Sequence, residues 1–256
     1  MASSKDEISK NILVTRNLKK YFGEVHAVDG VNLSILEGEV AFIIGPNGAG
    51  KTTFLNLLCK WLEPDEGKIF FMGKDVIKMP PYKLTKMGIG RSFQLVNLYD
   101  TLTVFDNIRV AVISRLGRSG KIFSLVDRDK EVAKETEEIL KTFGLSDKKD
   151  LLASELPHGD RKLLDVAIPF ALKPKLLLLD EPTSGVSTEE KDPVMKTIVS
   201  AVKAARTTAL IIEHDMSIVF SYSDRVIAMH EGKILADGKP KEVQENKLVK
   251  TLIMGE

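Results

Sequence analysis

One glycine-rich segment constrains this chain more than any other feature of its sequence. Residues 45–53 read GPNGAGKTT and match the pattern G-x-x-x-x-G-K-[ST]. Residues 39–44 (EVAFII) before it form a short apolar run that is typical of a strand, and residues 51–61 (KTTFLNLLCKW) have the apolar spacing of a helix. A loop of this composition between a strand and a helix is the context in which the pattern forms a phosphate-binding loop.

The residue types in this loop predict a site for a nucleoside triphosphate such as ATP. Glycines allow consecutive backbone N–H groups to turn inward around phosphates, and the start of the following helix adds positive potential. Lys51 is predicted to reach the β- and γ-phosphates, and the Thr52 hydroxyl is predicted to bind Mg²⁺. The predicted phosphate-binding residues are Gly45, Pro46, Asn47, Gly48, Ala49, Gly50, Lys51, Thr52 and Thr53.

A second motif lies about 130 residues further along the chain, where residues 176–181 read LLLLDE. A buried apolar strand that ends in an aspartate is the Walker B arrangement, in which Asp180 holds Mg²⁺ through water. The adjacent Glu181 is placed to polarise the attacking water as a general base. The two motifs together predict a P-loop nucleoside triphosphatase.

The bulk composition excludes several other classes of protein. Lys and Arg (37) nearly balance Asp and Glu (36), which gives no basic field for a nucleic-acid partner. A single cysteine, Cys59, excludes an internal disulfide framework. The polar first ten residues lack the apolar core of a signal peptide, and no run approaches the ~20 apolar residues of a membrane span. We therefore expect any action at a membrane to come from the cytosolic side, through other subunits.

The chain order of strands and helices predicts an α/β fold with a mostly parallel sheet and an inserted helical subdomain. Predicted strands are residues 11–15, 31–36, 39–44, 68–72, 176–179, 207–212, 225–229 and 233–236, with a hairpin turn at 231–232. Predicted helices are residues 51–61, 104–116, 129–143 and 188–204, and Trp61 is expected to pack at the end of the first. The change of period places an ATP-binding core at 1–93 and 166–256, and a helical subdomain at 94–165.

Beyond these motifs, the chain from about residue 12 onward resembles the ATP-binding subunit of an ABC transporter. The resemblance implies the ABC ATPase fold, with antiparallel strands near the N-terminus. It also implies that Gln94 is the Q-loop residue that contacts Mg²⁺ and water and senses the membrane subunits. His214 would be the switch histidine that contacts the γ-phosphate. Phe22 would be the aromatic residue that stacks on adenine, with Tyr21 as the alternative.

Residues 156–160 stand where this family carries its signature, Leu-Ser-Gly-Gly-Gln. The five residues here are Leu156, Pro157, His158, Gly159 and Asp160. In the head-to-tail dimer that the resemblance implies, two ATP molecules lie between subunits, and each signature acts on the ATP of the partner. Pro157 replaces the usual serine and removes a hydroxyl and a backbone donor, while Ser187 replaces the usual aspartate of the D-loop. We expect the site that this chain completes for its partner to be weakened.

Three features are together similar to the larger ATP-binding subunit of branched-chain amino acid importers: the connection 115–126, the Q-loop sequence GIGRSFQ and the ending LIMGE. The resemblance implies permease subunits, a second ATPase (a different paralogue or a second copy) and an external solute-binding protein. It also implies a peripheral position on the inner face of the membrane. Importers of urea and short amides and exporters of the lipopolysaccharide type stay open as alternatives. Soluble ABC ATPases of DNA repair or translation are disfavoured, because the chain has no long coiled coil and only one cassette.

Overall fold

The computed structural model describes residues 10–92, 98–118 and 129–255. The N-terminal part forms an antiparallel sheet with the strand order β2-β1-β4-β5. Its strands are β1 (Asn11–Phe22), β2 (Val25–Leu36), β4 (Glu66–Phe71) and β5 (Lys74–Asp75). β1 is longer than predicted because the strand continues through a bulge at Asn17, which has a φ of 44° and whose N–H donates to the Asn32 side chain.

A second sheet is mostly parallel, and the segments of the candidate functional site follow the carboxyl ends of its strands. Its order is β10-β9-β3-β8-β7-β6, and only the pairing of β10 with β9 is antiparallel among its described strands. Every residue of β3 (Val40–Ile44), β7 (Leu176–Asp180) and β8 (Thr208–Ile212) is buried. Such continuous apolar runs fit parallel strands that are covered on both faces. The remaining strands are β6 (Ile89–Arg91), β9 (Arg225–His230) and β10 (Lys233–Gly238).

The helices cover this sheet and form the region between β6 and β7. They are α1 (Lys51–Leu58), α2 (Pro81–Met87), α3 (Val104–Arg115), α4 (Lys130–Thr142), α5 (His158–Ala171), α6 (Thr188–Ala204), α7 (Met216–Tyr222), α8 (Pro240–Gln244) and α9 (Lys247–Val249). Within the described ranges, no helix combines the length and the apolar character that a membrane span requires.

Two apolar cores hold these layers together. One core lies between the antiparallel sheet, α1 and one face of the parallel sheet, and includes Leu18 and Phe54. The other joins the opposite face of that sheet to α3, α4, α5 and α6, and includes Phe143 and Ile198. Because both faces of the central strands are packed, the loops at their carboxyl ends are held on a rigid frame.

The observed elements agree with the predicted α/β class, with its mostly parallel sheet, antiparallel N-terminal strands and inserted helices. The predicted hairpin turn is present, since Glu231 and Gly232 both have positive φ. The predicted limits of the helical subdomain stay a prediction. α5 (His158–Ala171) runs continuously across the predicted limit at residue 165.

The prediction that Trp61 packs at the end of a helix was wrong. α1 ends at Leu58, and Lys60 adopts a left-handed conformation with φ 62°. The Asn56 carbonyl then accepts from the N–H of Trp61. This turn directs the Trp61 side chain outward, where 59% of the residue is exposed.

Candidate nucleotide-binding site

The glycine-rich loop leaves the carboxyl end of β3 and leads directly into α1. Lys51, only 5% exposed, donates from Nζ to the carbonyl oxygens of Gly45 (2.8 Å) and Pro46 (2.9 Å). Burial lowers the pKa of the Lys51 ammonium, while the nearby Glu181 and Asp180 oppose that shift. The Lys51 ammonium therefore donates to two carbonyl oxygens of the loop, and its positive charge would attract an anionic ligand.

Two glycines allow the loop to sit close to its neighbours. Gly50 has a φ of 95°, and a Cβ added there would lie 2.0 Å from the Ala27 carbonyl oxygen. Gly232, in the β9–β10 hairpin, donates its N–H to the Ala49 carbonyl (3.1 Å). The loop is thus fixed between β2 and the hairpin, and any residue larger than glycine at position 50 would push it away.

The loop lines a cavity of about 350 Å³ together with residues from four other segments. Phe22 lies at the rim and is 48% exposed, with Lys20 Nζ 5.5 Å from its ring centroid. Tyr21 does not line this cavity. Its ring centroid lies 4.3 Å from that of His26, and its hydroxyl donates to Asp29 Oδ1 over 3.2 Å. The lining residues are Phe22, Val25, Ala27, Asn47, Gly48, Ala49, Gly50, Lys51, Thr52, Thr53, Glu181 and His214.

Thr52, which lines the cavity, contacts the buried Asp180 behind it. The Thr52 hydroxyl donates to Asp180 Oδ1 over 3.4 Å, and Asp180 is 1% exposed. The second carboxylate oxygen, Oδ2, accepts no hydrogen bond within the described part of the chain and faces Arg91 Nη2 at 3.5 Å. Burial raises the pKa of the Asp180 carboxyl, and the Arg91 charge opposes the rise. A hydroxyl beside a buried carboxylate with a spare oxygen is a donor set that fits Mg²⁺. The third predicted ligand, Gln94, lies outside the described residues.

Glu181 and His214 form a pair at the mouth of the cavity. Their side chains are joined by a 2.8 Å hydrogen bond between Glu181 Oε1 and His214 Nε2. Glu181 has a left-handed backbone with φ 51°, a conformation that costs energy for a residue other than glycine. Its N–H donates to the Ile212 carbonyl of the neighbouring strand. This strained turn directs a carboxylate towards the phosphate loop instead of along the strand.

Glu213 takes part in the site although sequence analysis gave it no role. This residue is 3% exposed, and its Oε1 accepts from the backbone N–H (3.0 Å) and hydroxyl (2.7 Å) of Thr183. Its Oε2 accepts from the His214 N–H (3.2 Å). Burial raises the pKa of the Glu213 carboxyl against these hydrogen bonds. Glu213 therefore ties the loop after Glu181 to the start of the His214 segment; an acid directly after a buried apolar strand was the available signal.

The predicted signature residues lie around the start of α5 and do not line the cavity. Pro157 is the residue before the first turn of α5 and makes no side-chain cap. Gly159 is buried, and a Cβ added there would lie 3.4 Å from the Val194 side chain of α6, whereas His158 is exposed. Asp160 accepts from Lys148 Nζ over 2.7 Å. The start of α5 therefore presents Pro157 and His158 to the outside of this chain, away from its own phosphate loop.

Ser187, in the predicted D-loop, stands immediately before α6. Its hydroxyl donates to Glu190 Oε2 over 3.0 Å and does not accept from a backbone N–H of the helix. The loop from Glu181 to Ser187 is short and includes the left-handed Gly185. One short loop thus connects Ser187 to Glu181.

Residues 28–184 match the family model described as ABC transporter. A relative from Archaeoglobus fulgidus, described as a probable branched-chain amino acid transport ATP-binding protein LivG, is 34% identical over 249 residues, which cover 95% of both chains.

Two solved structures show the same fold. An ATP-binding cassette of an ABC transporter in its ADP conformation superposes with a TM-score of 0.82 at 33% identity, and covers 96% of this chain and 99% of that one. A dimeric cassette in a post-hydrolysis state, bound to ADP and phosphate, gives a TM-score of 0.75 at 25% identity, with coverage of 89% and 98%.

Proposed function

This chain belongs to the ABC transporter family and is one of its ATP-hydrolysing cassettes, and from that premise we propose that it energises import of branched-chain or related amino acids through separate permeases. The name of the Archaeoglobus relative supports the choice of solute class. The observation that carries the proposal is the Glu181–His214 pair at the phosphate loop, because a cassette that drives transport needs a working hydrolytic site.

Binding of the nucleotide is assigned to the residues that line the cavity. The N–H groups of the loop and the Lys51 ammonium would hold the β- and γ-phosphates, and the exposed Phe22 ring would stack on adenine. Thr52 and Asp180, with Gln94 as the third predicted ligand, would hold Mg²⁺. When bound, Mg²⁺ neutralises phosphate charge.

Hydrolysis is assigned to Glu181 as the general base. Its carboxylate would orient a water molecule and take a proton from it as the water attacks the γ-phosphate. His214, within 2.8 Å of that carboxylate, would hold it in place and contact the γ-phosphate. Glu213 would keep both segments in register, since it accepts hydrogen bonds from each.

The second half of the composite site would come from another ATPase subunit. The signature residues do not line this chain's own cavity, which fits a role on the ATP of a partner. A similar cassette has been solved as a dimer bound to ADP and phosphate. We therefore assign the surface around Pro157 and Gly159 to a partner cassette, either a paralogue or a second copy.

An apolar groove beside the residues that follow α1 is assigned to the permease. Trp61 is 59% exposed at its edge, and an amphipathic helix of a membrane subunit would fit such a surface. Docking here places the chain on the inner face of the membrane, with an extracytoplasmic solute-binding protein as an indirect partner. The groove is lined by Cys59, Trp61, Pro81, Leu84, Thr85, Ile89, Gly90, Arg91, Asp165, Ile168, Pro169 and Leu172.

Solute uptake by cells that carry either the wild-type gene or a Lys51→Ala allele tests this function. Lys51→Ala removes the charge that neutralises the β- and γ-phosphates and should abolish ATP binding. Uptake of labelled leucine, isoleucine or valine should then fall to background. Lys68→Ala, on the exposed face of β4, serves as the control and should leave uptake unchanged.

The alternatives give different outcomes in the same cells. Loss of urea or acetamide uptake with unchanged leucine uptake would move the chain to the amide importers. Loss of lipopolysaccharide at the cell surface, with both uptakes unchanged, would make it an exporter ATPase.

A further inference from the structure

We infer that Arg91 is a positioning residue that connects the magnesium end of the nucleotide site to the apolar groove beside Trp61. The inference rests on the proposed function only in taking Asp180 as the residue that holds Mg²⁺. Arg91 ends β6, which pairs in parallel with β7, so its side chain starts next to the strand that ends in Asp180.

The first contact of Arg91 is with Asp180. Arg91 Nη2 lies 3.5 Å from Asp180 Oδ2, and the two side chains are 8% and 0% exposed. A pair of charges this deeply buried is poorly screened by solvent, so each group responds strongly to a charge near the other.

The other side of the guanidinium contacts α1 and the residue that follows its end. Arg91 Nη1 donates to Asn56 Oδ1 and to Cys59 Sγ (3.0 Å). The guanidinium carbon lies 5.8 Å from the Trp61 ring centroid, within the range of a cation–π contact. One planar group therefore spans from the Walker B strand to the aromatic side chain at the groove.

Arg91 and Trp61 also line the groove itself, beside apolar residues such as Leu84 and Ile168. A helix seated in the groove would contact the exposed Trp61 indole, against which the guanidinium packs. A cation arriving at Asp180 would repel the guanidinium and change its contact with the indole. Because coupling between two sites is reciprocal in free energy, a groove ligand should shift Mg²⁺ binding by the same factor.

The chain supplies its own probe for this link, because Trp61 is its single tryptophan. Trp61 emission would be recorded while the non-hydrolysable analogue AMP-PNP is added with Mg²⁺, and again in EDTA. We expect the wild-type emission to change with Mg²⁺ beyond any change caused by the nucleotide alone. In Arg91→Gln this Mg²⁺-dependent part should be lost, although calorimetry still detects nucleotide binding.

A matched control separates this effect from loss of any stacked arginine. Arg16 lies 5.9 Å from the Phe70 ring in the antiparallel sheet, away from the site, and Arg16→Gln should keep the full response. Arg91→Lys keeps a charge but lacks the planar fork. It should also reduce the response, and it serves if Arg91→Gln does not fold.

The affinity ratio gives a second readout. The ratio of AMP-PNP dissociation constants in EDTA and in Mg²⁺ should differ between wild type and Arg91→Gln by about five-fold or more, the lower range of site-to-site coupling. An equal ratio, together with an equal Trp61 response in the two proteins, would overturn the inference. Failure of the wild type to bind AMP-PNP at all would instead overturn the proposed function.

Discussion

The proposed stacking of adenine depends on one exposed ring. Phe22 is 48% exposed at the rim of the cavity, and its position fits stacking against a base. Phe22→Ala should therefore weaken ATP binding by about 1–3 kcal/mol, the range for a base on an aromatic side chain, with a smaller effect on turnover. Calorimetric titration would measure this, with Tyr21→Phe as the control because Tyr21 does not line the cavity. Equal dissociation constants for wild type and Phe22→Ala would remove Phe22 from the site.

The carboxylate of Glu181 should carry the chemistry. Glu181→Gln keeps the size and the possible hydrogen bond to His214 but loses the base. Hydrolysis should fall about 10²–10⁴-fold while ATP binding persists. The retained ATP should then hold two subunits together, which light scattering would detect as an ATP-dependent doubling of mass. Wild-type turnover in this variant would show that the base lies elsewhere.

At the level of single residues, the sequence motifs predicted roles for Lys51, Asp180 and Glu181, and the family resemblance added His214. Lys51, Glu181 and His214 line one cavity, and Asp180 accepts a hydrogen bond from Thr52, which lines it too. Such prediction works where a residue directly follows a parallel strand, since neighbouring strand ends meet at one edge. Arg91 is the last residue of a strand, but its proposed role depends on contacts with α1, Cys59 and Trp61 that no local pattern indicates.

At the level of elements, the bounds of the predicted helices were best where the apolar pattern was long. The helix Thr188–Ala204 was predicted with the observed bounds, because its periodic apolar face runs over several turns. The helix Pro81–Met87 and the strand Ile89–Arg91 were missed, because seven and three residues are too few to show a period. These two short elements form one side of the groove, so the groove could not be predicted from the sequence.

Glu213, which links β8 to the loop after β7, leads to a prediction about how stability depends on pH. Burial raises the pKa of the Glu213 carboxyl above the ordinary 4.5, so the folded protein binds this proton more tightly than the unfolded chain does. The free energy of unfolding that Glu213 contributes therefore rises as the pH falls from neutral towards 4.5, and is lost as the pH rises through the raised pKa.

Comparison with Glu213→Gln isolates this contribution from the other titrating groups. The free energies of unfolding of wild type and Glu213→Gln would be measured in urea at pH 7.5 and pH 5.5. Their difference should shift in favour of the wild type at the lower pH. Turnover of the variant should also fall, since the amide cannot accept all the hydrogen bonds from Thr183 and His214. A difference in unfolding free energy that shifts the other way would contradict the raised pKa.

At the level of the whole molecule, we expect the outer surface around the start of α5 to decide how two cassettes cooperate. Pro157 precedes α5 without an N–H and without a side-chain cap, while Gly159 keeps its backbone donor. Two copies of this chain would each offer the other a signature that lacks the serine hydroxyl. Loss of one transition-state donor can cost on the order of 10²-fold in rate. The isolated protein should therefore hydrolyse ATP slowly.

Pro157→Ser restores the missing hydroxyl and backbone donor and should speed turnover of the isolated chain. Serine is also a good N-cap, so thermal unfolding must be measured beside the rate to separate a gain in stability from a gain in chemistry. Pro240→Ser, at the start of α8, is the control and should leave the rate unchanged. In a transporter whose other ATPase has an intact Leu-Ser-Gly-Gly-Gln, Glu181→Gln in this chain should silence transport, while the equivalent change in the other ATPase should harm it less. Brisk, cooperative turnover by the isolated wild type would show instead that Gly159 and the neighbouring N–H groups suffice, and that the proline is a tolerated variant of the signature.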